Sequence, residues 1–524
     1  MLHDFTLYIA LVMLILLLVM LAHKIRTAYP VVLVLGGLAI SLIPGMPVIH
    51  INPELIFVIF LPPLLYEAAW YTSWKEFWRW RRVIGSFAFL IVIATSLVVA
   101  LVASHLIPGF TLALGFLLGG IVSPPDAVSA TAILKHVKVP KRMSSILEGE
   151  SLLNDASSLI VFRFAFIAVD TGRFVFHEAA LSFVWVIAGG ILTGLAVGCV
   201  FYFLHRKLPT DANTDVVMSL ATPYVMYIAA ESIHVSGVLA VVSGGLFLSA
   251  KSHLFLSHRS RLRGANVWAA FGFVLNGLVF MLIGLELPVI VAGLGDVSLR
   301  QAIGYGVLIT VVLMVARVLS TLGASAFTVF ISRYITTADS RPGWKAPLVF
   351  GWAGMRGVVS LAAALSIPVY VTSGAAFPQR NLILFITFVV ILLTLVVQGL
   401  TLPLVIRWLQ LDDPDHFLPE AEQNRIIRQK LSDRSLAWLR EHHSDALGSN
   451  TALQQLAAKW EQETVPDESE WMQDGYRAVY LQLLAQQRAW LREWNKEVST
   501  DEEVIRKYQL LLDVEEEKMR LRFE

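Results

Sequence analysis

Gly149-Glu150-Ser151-Leu152-Leu153-Asn154-Asp155 sets two acids and two uncharged polar side chains inside a run otherwise written for lipid. On a helix, Ser151 and Asp155 are i and i+4, Asn154 adjoins Asp155, and Glu150 lies about one turn back. One helix face would therefore offer several oxygens to a single point. A carboxylate at the centre of a spanning helix costs roughly 2.5 to 3.5 kcal/mol on insertion scales. Such a residue faces a wet cavity, a partner charge or a bound ion, and it marks function.

The surroundings of the stretch are membrane. The chain has 524 residues, 56% of them apolar and only 15% charged, which is too apolar for a soluble protein of this size and reads as a polytopic membrane protein. The single cysteine, Cys199, lies in an apolar run; it excludes an internal disulfide framework and a cysteine-based zinc site, and is expected to be a small core residue. The first apolar stretch, Phe5 to Ala22, follows an acidic start and has no convincing cleavage site, so it is expected to be a retained span. Residues 1–408 hold 26 Lys/Arg against 16 Asp/Glu, and residues 409–524 hold 15 against 24, so the parts carry +10 and −9. The expected division is a membrane domain, 1–408, and an acidic, cytoplasmic helical tail, 409–524.

Apolar runs predict about thirteen transmembrane helices, near 5–23, 30–43, 54–70, 83–104, 110–134, 143–169, 179–204, 215–233, 236–250, 267–287, 299–331, 346–371 and 381–407. The second and ninth are the short ones. With the N-terminus outside, the inner loops carry 19 basic residues and the outer loops three, Arg173, Arg300 and Arg380. An error of one helix would scramble this alternation, so an odd number of spans and a tail inside are expected. The tail, from about Asp412, has Pro419 and Pro466 as expected helix starts and Trp438, Leu439, Trp460, Trp490 and Leu491 as apolar anchors. His442 and His443 are adjacent and point apart on a helix, which disfavours a metal pair. The tail is expected to regulate the membrane domain or stabilise a dimer; a ligand sensor is the alternative.

Two spans are interrupted. In the fifth, Gly119-Gly120-Ile121-Val122-Ser123-Pro124-Pro125-Asp126 removes two backbone donors in succession and frees carbonyls. In the twelfth, Gly351-Trp352-Ala353-Gly354-Met355-Arg356-Gly357 combines three glycines with a charge. Broken helices at membrane depth survive where they line a cavity or are buried in protein, and a pair in opposite halves of the chain, here seven spans apart and of opposite direction, marks inverted repeats. The fold class is thus all-α, in two inverted repeats with broken crossing helices.

Each charge within the membrane admits a structural reading. Asp126 and Asp155 could seal helix ends, but their placement favours a working site. Glu150 and Arg356 are expected to form a buried ion pair, because either alone would be expensive. Arg317 reads as an internal brace near acidic groups, and Arg163 as a packing or pairing residue. Glu67, Glu231 and His234 sit near helix ends, where solvation or snorkelling is expected. A monovalent cation wants several oxygens, which Asp155, Ser151, Asn154 and the carbonyl of Pro125 could supply. One carboxylate competed for by proton and cation, and exposed alternately to each side, suffices for exchange.

These residues resemble the cation:proton antiporter family of bacterial NhaP-type exchangers and animal sodium/proton exchangers. The resemblance covers roughly residues 5–408. It rests on Leu61-Pro62-Pro63-Leu64-Leu65-Tyr66-Glu67-Ala68, the proline break ending at Asp126, the opening heptapeptide, and Gly354-Met355-Arg356-Gly357. It implies a homodimer in which a core domain moves against a dimerisation domain, exchanging Na⁺, Li⁺ or sometimes K⁺ for H⁺ with no further cofactor. It also implies Asp155 as the ion and proton carrier, Asp126 and Ser151 as support, and Glu150 paired with Arg356. Asn154, where other members have a second Asp, implies electroneutral one-for-one exchange. The family often has Thr-Asp-Pro at the first break, whereas this chain has Pro125-Asp126-Ala127, so the threonine hydroxyl is absent; Ser123 and Ser129 are candidate substitutes.

A K⁺-selective antiporter is the near alternative. A cation channel would need a filter or repeated rings of like residues, which the sequence lacks. An intramembrane protease using Asp126 and Asp155 would need one of these acids in a Gly-x-Gly-Asp motif, or a Gly-x-Ser-x-Gly or His-Glu-x-x-His motif; the one Gly-x-Gly-Asp match, Gly293–Asp296, contains neither acid and the other two motifs do not occur, so no enzyme activity is expected. The expected partners are monovalent cations, protons, lipid and a second copy, with no nucleic acid. Short loops without an Asn-x-Ser/Thr sequon favour a bacterial plasma membrane.

Overall fold

A computed structural model of the chain describes residues 2–25, 27–43, 58–134, 137, 139–172, 176–295, 297–334, 343–411, 420–442, 444, 451–463, 481–482, 484–489, 491, 493 and 511–518. The chain divides into two compact units, Met1–Asp413 and Pro414–Glu524. Among the described residues of the first, the regular structure is helical apart from a lone bridge between Tyr370 and Ala376. In chain order its helices are α1 Leu2–Lys24, α2 Tyr29–Ser41, α3 Leu61–Tyr71, α4 Trp74–Leu106, α5 Leu112–Val122, α6 Ala127–Leu134, α7 Lys141–Thr171 and α8 Phe176–Lys207. They continue as α9 Ala212–Ser232, α10 Gly237–Phe255, α11 His258–Leu285, α12 Leu287–Ala292, α13 Leu299–Ile331, α14 Lys345–Trp352, α15 Val358–Leu365 and α16 Arg380–Leu409.

Among the described residues, eight helical stretches are long and apolar enough to cross a membrane. The other expected spans are helical but shorter, interrupted or less apolar. The ninth expected span is longer than its apolar run suggests, 19 residues as α10, because the helix carries its polar end Ser249-Ala250-Lys251-Ser252-His253 onward to Phe255. Helix starts follow from local chemistry. The side chains of Ser73, Thr111, Asp211, Ser236, Ser257 and Ser298 each accept a first-turn N–H, and Pro62-Pro63 occupies the first turn of α3 where no donor is needed.

Both expected breaks are present: α5 stops at Val122 and α6 starts at Ala127, and α14 stops at Trp352 and α15 starts at Val358. The first break is held in place by the small residues ahead of it. A Cβ on Gly115 or Gly119 would lie 2.5 Å from the carbonyl oxygens of Ala100 and Ser96, and one on Gly120 would lie 2.8 Å from the amide of Phe162. So α5 sits with its backbone pressed against α4 on one side and α7 on the other, the close approach that small-residue stripes allow between spanning helices.

Two helices widen locally into π turns, Ser86–Ile91 within α4 and Thr394–Gln398 within α16. Each adjoins a working element: the Ser157 hydroxyl on α7 donates to the Ala88 carbonyl, and Thr394 Oγ1 accepts the Arg356 amide at 3.1 Å. π turns recur at such places because they free backbone groups for tertiary partners. Two large apolar clusters fill the interior. One joins parts of α2, α4, α5, α7, α14, α15 and α16; the other joins Leu65, Tyr66 and Ala69 of α3 to Met226, Val242, Leu246 and Trp268 of α9, α10 and α11, with Leu152 and Ala156 of α7 reaching into it.

In the second unit, Glu420–His442 (α17) packs on Thr451–Glu463 (α18) through Leu436, Leu439 and Ala457. Leu439 and Leu491 are buried as expected, whereas Trp438 is 54% exposed and stacks on His442. The side chains of Trp460 and Trp490, and Pro419, Pro466, His443, Asp412, Arg173 and the loop residues Lys135, Lys138 and Arg341, lie outside the described residues.

Candidate ion-binding site

The two breaks cross and bond to each other. The Asp126 N–H donates to the Met355 carbonyl at 2.7 Å. Beside it the Asp126 carboxylate caps α6, its Oδ1 accepting from the Val128 amide at 3.0 Å and its Oδ2 from the Ser129 amide at 3.3 Å and the Ser129 hydroxyl at 2.6 Å. It fits there because residue 357 is glycine: a Cβ at Gly357 would lie 2.6 Å from Asp126 Oδ2. Asp126 thus seals a helix end and lines a cavity with the same side chain.

That cavity has a volume of about 660 Å³ and lies on the Lys141 side of the crossing. Asp126, Ser151, Asp155, Pro125 and Ser360 line one wall, while Glu67, Tyr71, Gly272 and Asn276 line the other; His23, Tyr29 and Glu148 also face it. Among the described residues no hydrogen-bond donor and no cation holds the Asp155 carboxylate, although the residue is only 7% exposed. It feels the charge of Asp126 across the cavity. A bare carboxylate beside a capped one, on a helix apolar and long enough to span a membrane and in a cavity lined largely by apolar side chains, can take up a proton or a cation and little else. Ser151 stands between them, its Oγ accepting the Ala127 amide at 3.2 Å. That bond leaves its proton and one lone pair for another partner.

Asn154 does not join the cavity wall. It is fully buried, and its amide Nδ2 donates to the Pro125 carbonyl at 2.9 Å. Proline leaves that carbonyl outside any helical ladder, and Asn154, one residue round the helix from Asp155, turns toward it. The two expected ion ligands are therefore partners of each other, and Asn154 serves as a brace for the first break. Pro125 still lines the cavity, and its oxygen keeps a second lone pair. Neither candidate for the missing hydroxyl is free: Ser123 Oγ accepts from Ser96 at 2.9 Å, and Ser129 is committed to Asp126.

The expected Glu150–Arg356 pair is corrected. Glu150 is held by Arg317, whose Nη2 reaches Oε1 at 2.8 Å and Oε2 at 3.0 Å, with both side chains 1% exposed. Arg317 crosses over Gly354 to get there, since a Cβ at Gly354 would lie 2.5 Å from its Cδ. Arg356 spends its guanidinium on backbone instead. Nε donates to the Val122 carbonyl at 2.9 Å, Nη2 to Ser123 at 3.5 Å, and Nη1 to Gly354. The physical reason is the first break: α5 ends in carbonyls without helical donors and with the negative end of its dipole, and a cation with five N–H groups answers both. Arg356 remains within electrostatic reach of Glu150.

Arg163 and Glu231 fall outside the cavity. Arg163 is exposed, two turns beyond Asp155, and its charge faces Glu231, which accepts the Gly237 amide at 3.2 Å. Glu67 is the residue whose position was misjudged from sequence; it lies over Gly272 and faces the cavity rather than a helix end in solvent. The double proline four residues earlier was the available signal, because it sits in the first turn of Leu61–Tyr71 and so places Glu67 in that helix's middle.

The profile of the transmembrane sodium/hydrogen exchanger family matches residues 9–408. A sodium, potassium, lithium and rubidium/H⁺ antiporter of Bacillus pumilus is 36% identical over 395 residues, 72% of this chain; the match spans 57% of that relative's length. An uncharacterized Na⁺/H⁺ exchanger of Mycobacterium tuberculosis is 32% identical over 513 residues, covering 95% of this chain and 92% of the relative. Among solved structures, the sodium proton antiporter MjNhaP1 of Methanocaldococcus jannaschii matches with a TM-score of 0.56 over 77% of this chain and 97% of its own, at 17% identity, a likeness of fold.

Proposed function

The chain belongs to the sodium/hydrogen exchanger family, a family of transporters and not of enzymes, and on that premise we propose that it exchanges a monovalent cation for H⁺ by alternating access, with Asp155 as the shared site. The observation that carries this is the unpartnered Asp155 carboxylate in the cavity at the crossing of two broken helices. Its charge has to be neutralised before the cavity can close around it. Closing on the bare carboxylate would cost roughly 2.5 to 3.5 kcal/mol, which suppresses empty return on the order of 10²-fold and couples the two fluxes.

Asp126 and Ser151 complete the oxygen set, with the Pro125 carbonyl as backbone ligand. Asn154 leaves one titrating acid on this stretch of α7, which supports one-for-one, electroneutral exchange. Na⁺ is the proposed substrate, with Li⁺ and K⁺ as further ones; the breadth of the Bacillus relative's printed substrates supports this. The proposal includes thirteen spans with the N-terminus outside, a homodimer in the plasma membrane and a regulatory cytoplasmic tail; the basic inner loops support the orientation and the family match supports the membrane setting. The cavity then opens inward, on the side of Lys141.

Proteoliposomes with an imposed pH gradient test the proposal. Na⁺, Li⁺ or K⁺ should collapse the gradient saturably, the half-saturating concentration should rise as pH falls because protons compete, and Asp155→Asn should abolish the response while the protein stays folded. Saturable cation-driven proton flux retained in Asp155→Asn would sink the assignment.

A further inference from the structure

Hydroxyls on membrane helices usually donate back to their own helix, three or four residues earlier, as Thr95, Ser158, Thr310, Thr321 and Ser366 do here. Among the described residues two buried hydroxyls, Thr387 and Ser360, find no partner, and of these only Ser360 lines the cavity. It is the third residue of α15, so the positions where a helical carbonyl would stand are Arg356 and Gly357, which lie outside the helix, in the second break. Its Oγ is buried without a hydrogen-bond partner in a residue 2% exposed, and it lines the same cavity as Asp126, Ser151 and Asp155. Of the other serine and threonine hydroxyls on that cavity, Thr131 donates to the Ala127 carbonyl at 2.8 Å and Ser151 accepts the Ala127 amide, so each has at least one bond where Ser360 has none. A buried hydroxyl left unsatisfied carries a penalty that a ligand removes.

Resting on the exchange reading above, we propose that Ser360 is a specificity-determining residue: its hydroxyl oxygen completes the shell of the cation at Asp155, in the place left vacant by the hydroxyl that Pro125 cannot supply. The bond from the Asp126 amide to the Met355 carbonyl, and the fit of the Asp126 carboxylate against Gly357, fix the start of α15 to the first break. Ser360 therefore keeps its place relative to the carboxylates. Small cations hold their hydration most tightly and need the fullest replacement, so Li⁺ and Na⁺ depend on this oxygen more than K⁺ and Rb⁺ do.

Ser360→Ala, Ser360→Cys and Ser360→Thr of the full chain, in proteoliposomes with Li⁺, Na⁺, K⁺ and Rb⁺, test this. Ala, and Cys with its soft sulfur in nearly the same volume, should raise the half-saturating Li⁺ and Na⁺ concentrations about tenfold while changing those of K⁺ and Rb⁺ less than about twofold. Maximal rates should stay within about twofold, and Thr should match wild type. Two results overturn it: both variants within twofold of wild type for all four cations, or an equal rise for all four together with a lower melting temperature, which is packing. If Ala fails to fold, Cys alone decides. Absence of cation-driven flux in the wild type would instead overturn the exchange reading beneath it; wild-type flux with unchanged variants overturns Ser360 only.

Discussion

The two interruptions of this membrane domain are built by opposite means. The first, Ser123–Asp126, is made by prolines, which delete donors and leave carbonyls in surplus. The second, Ala353–Gly357, is made around glycines, which delete side chains and leave room. Each supplies what the other lacks. Arg356 from the roomy break donates to the Val122 and Ser123 carbonyls of the proline break, and Asp126 from the proline break enters the space over Gly357. The crossing is therefore one structure of two unlike halves, and the cavity lined by Asp126 and Asp155 adjoins it.

The largest effect should come from removing the donor. Arg356→Ala leaves the end of α5 without its cation and should lower stability by about 3 to 5 kcal/mol, as for other broken buried charge contacts, and abolish exchange. Thermal unfolding in detergent measures it, and a wild-type melting temperature would undo the complementarity described above. Arg317→Ala should cost nearly as much, about 3 kcal/mol, because Glu150 is left buried and alone. Adding Glu150→Gln should restore at least half of that loss in the Arg317→Ala background and none of it in Arg356→Ala. Recovery in the second background instead would return Glu150 to Arg356.

Gly357→Ala tests the room. Its methyl would displace Asp126, lowering stability by about 1 to 2 kcal/mol and cutting the exchange rate several-fold; an unchanged rate would mean the Asp126 position is immaterial. Pro125→Ala should do least, within about 1 kcal/mol, because the Asp126–Met355 bond and Asn154 hold the break whether or not residue 125 has an N–H. Loss of the folded protein in this variant would show that proline, and not the crossing, maintains the break.

The breaks and the carrier helix were legible because their signals are local: consecutive prolines, clustered glycines, and acids where lipid is expected. What local spacing did not show was which distant groups meet. Glu150 and Arg356 are opposite charges in a low-dielectric region, and charge alone paired them; the carbonyls that claim Arg356 carry no letter in the sequence. Asn154 looked like a ligand for the same reason, since the partner it holds is a backbone oxygen on another helix. Glu67 was assigned to a helix end because an apolar run from residue 54 was read as one span ending near 70; the helix that carries it, Leu61–Tyr71, places it against Gly272 at the cavity instead. Ser360 gave no sign at all: an orphaned hydroxyl becomes visible only when the preceding turn is seen to be missing.

The contact of Arg356 with Val122 joins residues 234 apart in sequence. At about 5 to 20 residues per second, synthesis of the intervening chain takes roughly 10 to 50 s. Throughout that interval the first half of the protein sits in or near the bilayer with the carbonyls of α5 unanswered and Asp126 without its place over Gly357. The crossing is thus a late product of biosynthesis, and a chain halted before Arg356 carries Asp155 but not the crossing beside it.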